Sequence, residues 1–369
     1  MIAIIGGIQT VVKVKMATPE RDIEKQRKQD EDALLAAGID ITKLGQGEDD
    51  SDSGMMEESP EDARFREYYE RKLREQSSDN YWDQVGLGGK DFGGYSPISA
   101  GNDAEIKVSL AGCSYNVAKY IGKKVKEEGL SEEKPVFISV LGNDALGLAA
   151  LGELQSCGVD ISGIKTVNKS SSVSVEICNV IGDLEFARDD MSIMDELTPD
   201  VIDEMSSLLH KADAIFIDGS VPVETMNHIS TNYGDEKKIF FDPASIQGGY
   251  AFAESELKAT CVMPGRMESE AMSGMSVLGM DQLMSAGECF EERGVDKTII
   301  TLKGGGLYYK DGPKAGIVKP PQNLGQVDTR GAGDVVSAEI ALGLVAGETL
   351  EDAAKAAIEK TAEFLKDRA

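Results

Sequence analysis

Asp328-Thr-Arg-Gly-Ala-Gly-Asp334 decides the fold, because it lies between a strand-like run and a helix. Upstream stands the apolar Thr298-Ile-Ile-Thr-Leu302, followed by a Gly- and Pro-rich connection. Downstream, Val335-Val-Ser-Ala-Glu-Ile-Ala-Leu-Gly-Leu-Val345 is apolar at helical spacing and predicts a buried helix. Glycines in the first turn of a helix let backbone N–H groups face an anion, and the helix dipole favours negative charge there. Asp334 then sets a carboxylate beside the bound anion. That arrangement is repulsive unless the carboxylate takes a proton from an attacking hydroxyl. The pattern points to phosphoryl transfer to an alcohol. Taken alone, the tetrad ending in Asp334 also fits an ordinary loop-to-helix joint with that aspartate as the cap.

Working outward, strand-like runs alternate with helical ones from about residue 100. The strands are Pro135-Val-Phe-Ile-Ser-Val-Leu141, Ala214-Ile-Phe-Ile-Asp218, Lys238-Ile-Phe-Phe-Asp242 and the run from Thr298 to Leu302. Helical stretches cover residues 197–209 and 281–293, and Met1-Ile-Ala-Ile-Ile-Gly-Gly7 reads as a first strand and not as a signal peptide. Such alternation predicts an α/β protein, a mostly parallel sheet with helices on both faces. Ligands of these sheets bind beyond the carboxyl ends of the strands, where the Gly-Ala-Gly-Asp tetrad falls.

Residues 17–99 have another character. Glu48-Asp-Asp-Ser-Asp52 and Met55-Met-Glu-Glu-Ser-Pro-Glu-Asp62 are acidic and of low complexity, and Ala63-Arg-Phe-Arg-Glu-Tyr-Tyr-Glu-Arg-Lys-Leu-Arg74 is a charged helix candidate. One reading is a solvated, partly disordered insertion. The other is a docking arm, anchored by Phe65, Tyr68, Tyr69, Tyr81 and Trp82, that meets a protein partner or a second copy of the chain.

The chain has 369 residues and a net charge of −27, which argues against nucleic acid or an anionic membrane as partner. No apolar run approaches the length of a membrane span. Cys113, Cys157, Cys178, Cys261 and Cys289 show no CxxC spacing, so buried reduced thiols are expected, pointing to an intracellular, cytoplasmic or organellar, setting. With only His210 and His228 in the chain, a histidine-based zinc site is not expected.

The seven-residue stretch resembles the second signature of the ribokinase-like (PfkB) carbohydrate kinase family. Further landmarks fall in that family's order: Ala111-Gly-Cys-Ser-Tyr-Asn116, Leu141-Gly-Asn-Asp-Ala-Leu-Gly147, Cys157-Gly-Val-Asp160 and Thr301-Leu-Lys-Gly-Gly-Gly306. Asp190-Met-Ser-Ile-Met-Asp-Glu-Leu-Thr-Pro199, Phe241-Asp-Pro-Ala-Ser245 and Pro264-Gly-Arg-Met-Glu-Ser-Glu-Ala-Met-Ser-Gly274 are similar to the pseudouridine kinase branch. The resemblance implies a three-layer α/β/α kinase domain over residues 1–16 and 100–369, with 17–99 inserted. It implies Asp334 as general base and Gly331, Ala332 and Gly333 as the anion hole, with Arg330 as a candidate to neutralise the transferred group or a plain surface charge. Gly112, Asn116 and Asp190 would hold a sugar or nucleoside, and Thr301, Lys303, Gly304, Gly306 and Thr329 the nucleotide. ATP and Mg2+ are the implied cofactors, the metal near Glu268, with a monovalent cation as a further candidate.

Three positions depart from the family pattern. Val11 stands where a sugar-binding aspartate is expected, Gly265 replaces the asparagine of the metal-linked N-x-x-E, and Ala111 replaces the first glycine of the sugar loop. A buried sugar hydroxyl left unpaired at Val11 would cost roughly 1–3 kcal/mol. The acidic insertion also falls where the family's substrate lid forms. Two alternatives stay open: a kinase with an altered acceptor, or a catalytically reduced member serving as an interaction subunit.

Overall fold

In the computed structural model, residues 1–16, 104–129, 134–178, 184–321 and 329–366 are described. The acidic segment, residues 17–99, lies outside them, as does Asp328. Contacts divide the chain into two units. The larger comprises residues 1–13, 107–176 and 186–369 and holds every residue considered below as a site, while the smaller comprises residues 14–106 and 177–185.

Ile2-Ala-Ile-Ile5 forms β1 (Ile2–Ile5), and all four residues are buried. A strand buried on both faces must be central, and β1 pairs in parallel with β4 (Val136–Gly142) on one side and β8 (Ala214–Asp218) on the other. Outward from β4 lies β5 (Asp160–Val167); outward from β8 follow β9 (Lys238–Asp242), β10 (Cys261–Val262) and β11 (Lys297–Thr301), all parallel. The antiparallel β12 (Leu307–Asp311) and β13 (Lys314–Val318) finish a nine-stranded sheet of order β13-β12-β11-β10-β9-β8-β1-β4-β5. A second sheet has the order β3-β2-β6-β7, from β2 (Gln9–Met16), β3 (Ala104–Ala111), β6 (Ser172–Cys178) and β7 (Leu184–Asp190).

Strand side chains alternate between faces, so the sheet feeds two cores. Ile5, Ile217 and Phe241 pack with Leu209, Phe252 and Phe290 on one face. Ile4, Phe216 and Phe240 pack with Ile121, Ile340 and Ile358 on the other. Fully burying each such side chain contributes roughly 1.5–3 kcal/mol. The first face is covered by α3 (Pro199–Glu204), α4 (Ser206–Lys211), α5 (Val223–Tyr233), α6 (Ile246–Glu254), α7 (Arg266–Ser273) and α8 (Met280–Glu292). The second is covered by α1 (Cys113–Glu128), α2 (Ala145–Ser156), α9 (Ala332–Ala346) and α10 (Leu350–Lys366). The result is the expected α/β architecture, a three-layer α/β/α arrangement with a mostly parallel central sheet.

Two local expectations change. The connection between β11 and the tetrad is not simply Gly- and Pro-rich, since β12 and β13 form a hairpin within it. The single helix expected over residues 197–209 is two short helices that meet at Met205, where the backbone leaves helical geometry. Three of the five cysteines are buried, while Cys113 and Cys289 are half-buried, and all are free thiols. No helix among the described residues is long and apolar enough to cross a membrane.

Candidate active site

The parallel strands end together, and at their carboxyl ends the chain places Gly6-Gly7 after β1, Asp218 at the end of β8 and Asp242 at the end of β9. Helix α1 starts against this rim through Gly112. Its φ of 132° and the nearby Gly7 carbonyl, 2.6 Å from where a Cβ would lie, leave room for glycine alone. From the first turn of α1, Ser114 N–H donates to Asp218 Oδ2 at 2.9 Å. Asp218 also accepts from Ser220 N–H at 2.9 Å and from the Ser220 hydroxyl.

Helix α9 starts at Gly331, whose φ of 81° turns the chain into the helix. The Ala332 N–H is spent on the Thr329 carbonyl at 3.1 Å. The N–H groups of Gly333 and Asp334 meet no acceptor among the described residues. Such donors at a helix start are what an anion needs. Asn116 Nδ2 donates to Asp334 Oδ2 at 2.7 Å, so the sugar-loop residue and the expected base are in direct contact.

Burial holds Asp334 up at about 6, with the Asp218 charge adding to the rise, while donors on Asn116 and Cys113 pull it back. Asp242 stands higher, at about 7, because burial outweighs donation from the Ser337 hydroxyl at 2.6 Å and the Ala244 N–H at 2.8 Å. Asp218 is also raised by burial despite its hydrogen bonds. The Cys113 thiol is pushed well up by burial and by Asp242, Asp334 and Asp218, so it stays protonated at neutral pH. Ala244 is the one non-glycine with positive φ among the described residues, at 57°, and it sits beside Asp242 in the site wall. Backbone strain of this kind collects at functional sites.

A cavity of about 570 Å³ opens here. Its wall includes Asp242, Arg266, Glu268, Thr301, Gly333 and Asp334. Glu268 lies in the first turn of α7, whose N-cap is Gly265, so two helix N-termini border one cavity. Arg266 has no ion-pair partner among the described residues. At Gly265, a Cβ would lie 2.5 Å from Glu268 Oε2; the acid therefore occupies the space that a side chain at that position would need.

Of the residues expected from sequence, Asp334, Gly333, Glu268 and Thr301 share the cavity wall, and Asn116 reaches it through Asp334. Gly112 is linked to the rim through Gly7. Lys303 and Gly304 lie in a short 3-10 turn after β11, and Gly306 packs its backbone against Val318; neither glycine lines the cavity. Arg330 and Thr329 are exposed and outside the wall. Asp190 is exposed, and its Oδ1 accepts from the Ser192 N–H at 3.1 Å and the Ser192 hydroxyl at 2.7 Å, so it caps the following turn. Val11 is half-exposed in β2. Asp242 and Arg266 escaped the sequence reading, although both lie inside motifs quoted above. An aspartate closing an apolar strand at the ligand end was the available signal for Asp242.

Sheet order, the carboxyl-end rim and the tetrad-bearing helix together define a ribokinase-like fold. Residues 90–362 match the family model described as pfkB family carbohydrate kinase, and the chain belongs to that family of phosphotransferases. Pseudouridine kinase of Escherichia coli K12 is 23% identical over 262 residues, covering 70% of this chain and 81% of that protein. Among solved structures, Giardia lamblia ribokinase gives a TM-score of 0.65 at 15% identity, covering 96% of this chain and 90% of that one. Arabidopsis thaliana ribokinase, complexed with ribose and ATP, gives 0.61 at 13% identity, covering 99% and 92%.

Proposed function

We propose that this protein transfers the γ-phosphate of ATP to a hydroxyl of a nucleoside, with the 5′-hydroxyl of pseudouridine as acceptor. The observation that carries the reading is the cavity in which Asp334, its carboxyl raised by burial, stands beside helix-start N–H groups that meet no acceptor among the described residues. The nucleoside assignment rests on the Asp190–Pro199 and Pro264–Gly274 stretches and on the likeness to pseudouridine kinase.

The residues present fit a polyphosphate. Gly333 and Asp334 offer N–H donors, and Arg266 is a cation in a wall that otherwise carries carboxylates. Magnesium would be held through water near Glu268, as its reluctance to dehydrate suggests, and would supply charge neutralisation between phosphates. Glu268 would orient that water shell, and Arg266 rather than Arg330 would face the phosphates from α7. Asp334, ionised above about pH 6, would accept the proton of the attacking hydroxyl while Asn116 fixes the orientation of its carboxylate. The kinase domain would comprise residues 1–16 and 100–369, with 17–99 as an insertion.

A second reading, a catalytically reduced interaction subunit, is favoured by Gly265, where Glu268 fills the place of the family's asparagine side chain. Phosphate transfer from ATP to pseudouridine, uridine, ribose and fructose, measured side by side, separates the two. Turnover with pseudouridine above the others is expected. Absence of turnover with every acceptor, from folded protein that binds ATP, would favour the subunit.

A further inference from the structure

Helix α1 carries Asn116, and α9 carries the Asp334 that it contacts. A second link joins the same two helices deeper in the core. Glu339, 6% exposed, accepts at Oε1 from the Tyr120 hydroxyl at 2.6 Å and from Lys124 Nζ. Asn116, Tyr120 and Lys124 are spaced i, i+4 and i+8, which places them in one stripe along α1. Asp334 and Glu339 face that stripe from α9 at two heights. On its other flank α9 is tied to β9, since Ser337 donates to Asp242 at 2.6 Å.

A buried carboxylate holding a lysine and a phenol is a demanding arrangement between two packed helices. Desolvation opposes it, and apolar residues of similar size would pack the interface at least as well. Its geometry is more specific than stability needs: both donors converge on one oxygen and fix the two helices in one axial register. A slip of α9 along α1 would break these contacts and the Asn116–Asp334 bond together.

We propose that Glu339 is a positioning residue that sets the register of α9 against α1 and so holds Asp334 against Asn116. This rests on the kinase reading for its catalytic meaning, but the register itself can be measured without turnover. Asp334 is faced by Asn116 and Cys113 from α1 and by the carboxylates of Asp218 and Asp242 from β8 and β9. Losing the Asn116 donor therefore leaves burial and repulsion less opposed, and the carboxyl should titrate higher.

The test titrates Asp334 by its carboxyl 13C resonance, assigned by its absence in Asp334→Asn, in the full chain and in Glu339→Ala, Glu339→Gln and Tyr120→Phe. Glu339→Ala should raise the Asp334 midpoint by about one pH unit, with kcat/KM falling and its acid limb moving up in step. Glu339→Gln, which keeps an acceptor oxygen for both donors, should restore the parent midpoint. Where Glu339→Ala fails to fold, Tyr120→Phe and the paired Lys124→Met with Glu339→Met carry the test, and each should raise the midpoint. An unmoved midpoint in folded variants would overturn the proposal even if activity drops. A moved midpoint with no turnover in the parent would uphold the register and overturn the kinase reading instead.

Discussion

At Asp242 and Asp334, burial outweighs hydrogen bonding, and the direction of that imbalance sets how stability follows pH. Both folded-state values, about 7 and about 6, lie above the usual aspartate value of 3.8. Between those limits the folded chain binds more protons than the unfolded one. Stability is then fully present below the unfolded value and declines as pH rises through the folded ones. Asp242→Asn removes the ionisable group while Ser337 and the Ala244 N–H keep partners. The variant should therefore melt above the parent at about pH 8, and the gap should close toward about pH 4. Calorimetry across that range checks it. A variant that melts at or below the parent at the alkaline end would mean that Asp242 is ionised without penalty. At this scale the place of Asp334, in a cavity wall at a helix start, was legible from the glycines before it and the apolar helix after it. Arg266 was not, since nothing in one exposed arginine's neighbours says which way it faces.

Elements position these side chains through backbone contacts that single residues decide. The start of α1 depends on Gly112 lying against the Gly7 carbonyl, with a φ that an L side chain rarely adopts. Gly112→Ala should destabilise by roughly 1–3 kcal/mol and lower transfer to the acceptor more than it weakens ATP binding, because the strain falls on α1 and Asn116 while Arg266 lies on α7. Denaturant melts with ATP titration calorimetry measure both. A variant as stable as the parent would contradict the close approach. Strands with continuous apolar runs, such as β8 and β9, were legible from those runs and from the helical stretches between them. The β12–β13 hairpin was not. Leu307-Tyr-Tyr-Lys-Asp311 mixes apolar and polar residues next to the edge strand β13, and the Asp311-Gly312 turn sits inside a segment whose glycines and prolines also suit a loop. The break at Met205 was equally hidden, because apolar spacing runs through both short helices.

For the whole molecule, alternation of strands and helices already implied a parallel sheet covered on both faces, and with it a site at the carboxyl ends. The second sheet was not foreseen. Its strand β3 exposes Ile106 and Val108, and β7 exposes Phe186, so neither carries the apolar signature of a core strand. The two readings of the molecule, kinase or interaction subunit, diverge on whether the carboxylate at the start of α9 does chemistry. The most direct measurement is the rate of γ-phosphate transfer by Asp334→Asn beside the parent, with ATP affinity followed by calorimetry on both. The expected result is a loss of about 10²–10⁴-fold in transfer, as for removal of a general base, with ATP affinity retained. Transfer by the variant at the parent rate would contradict Asp334 as the base.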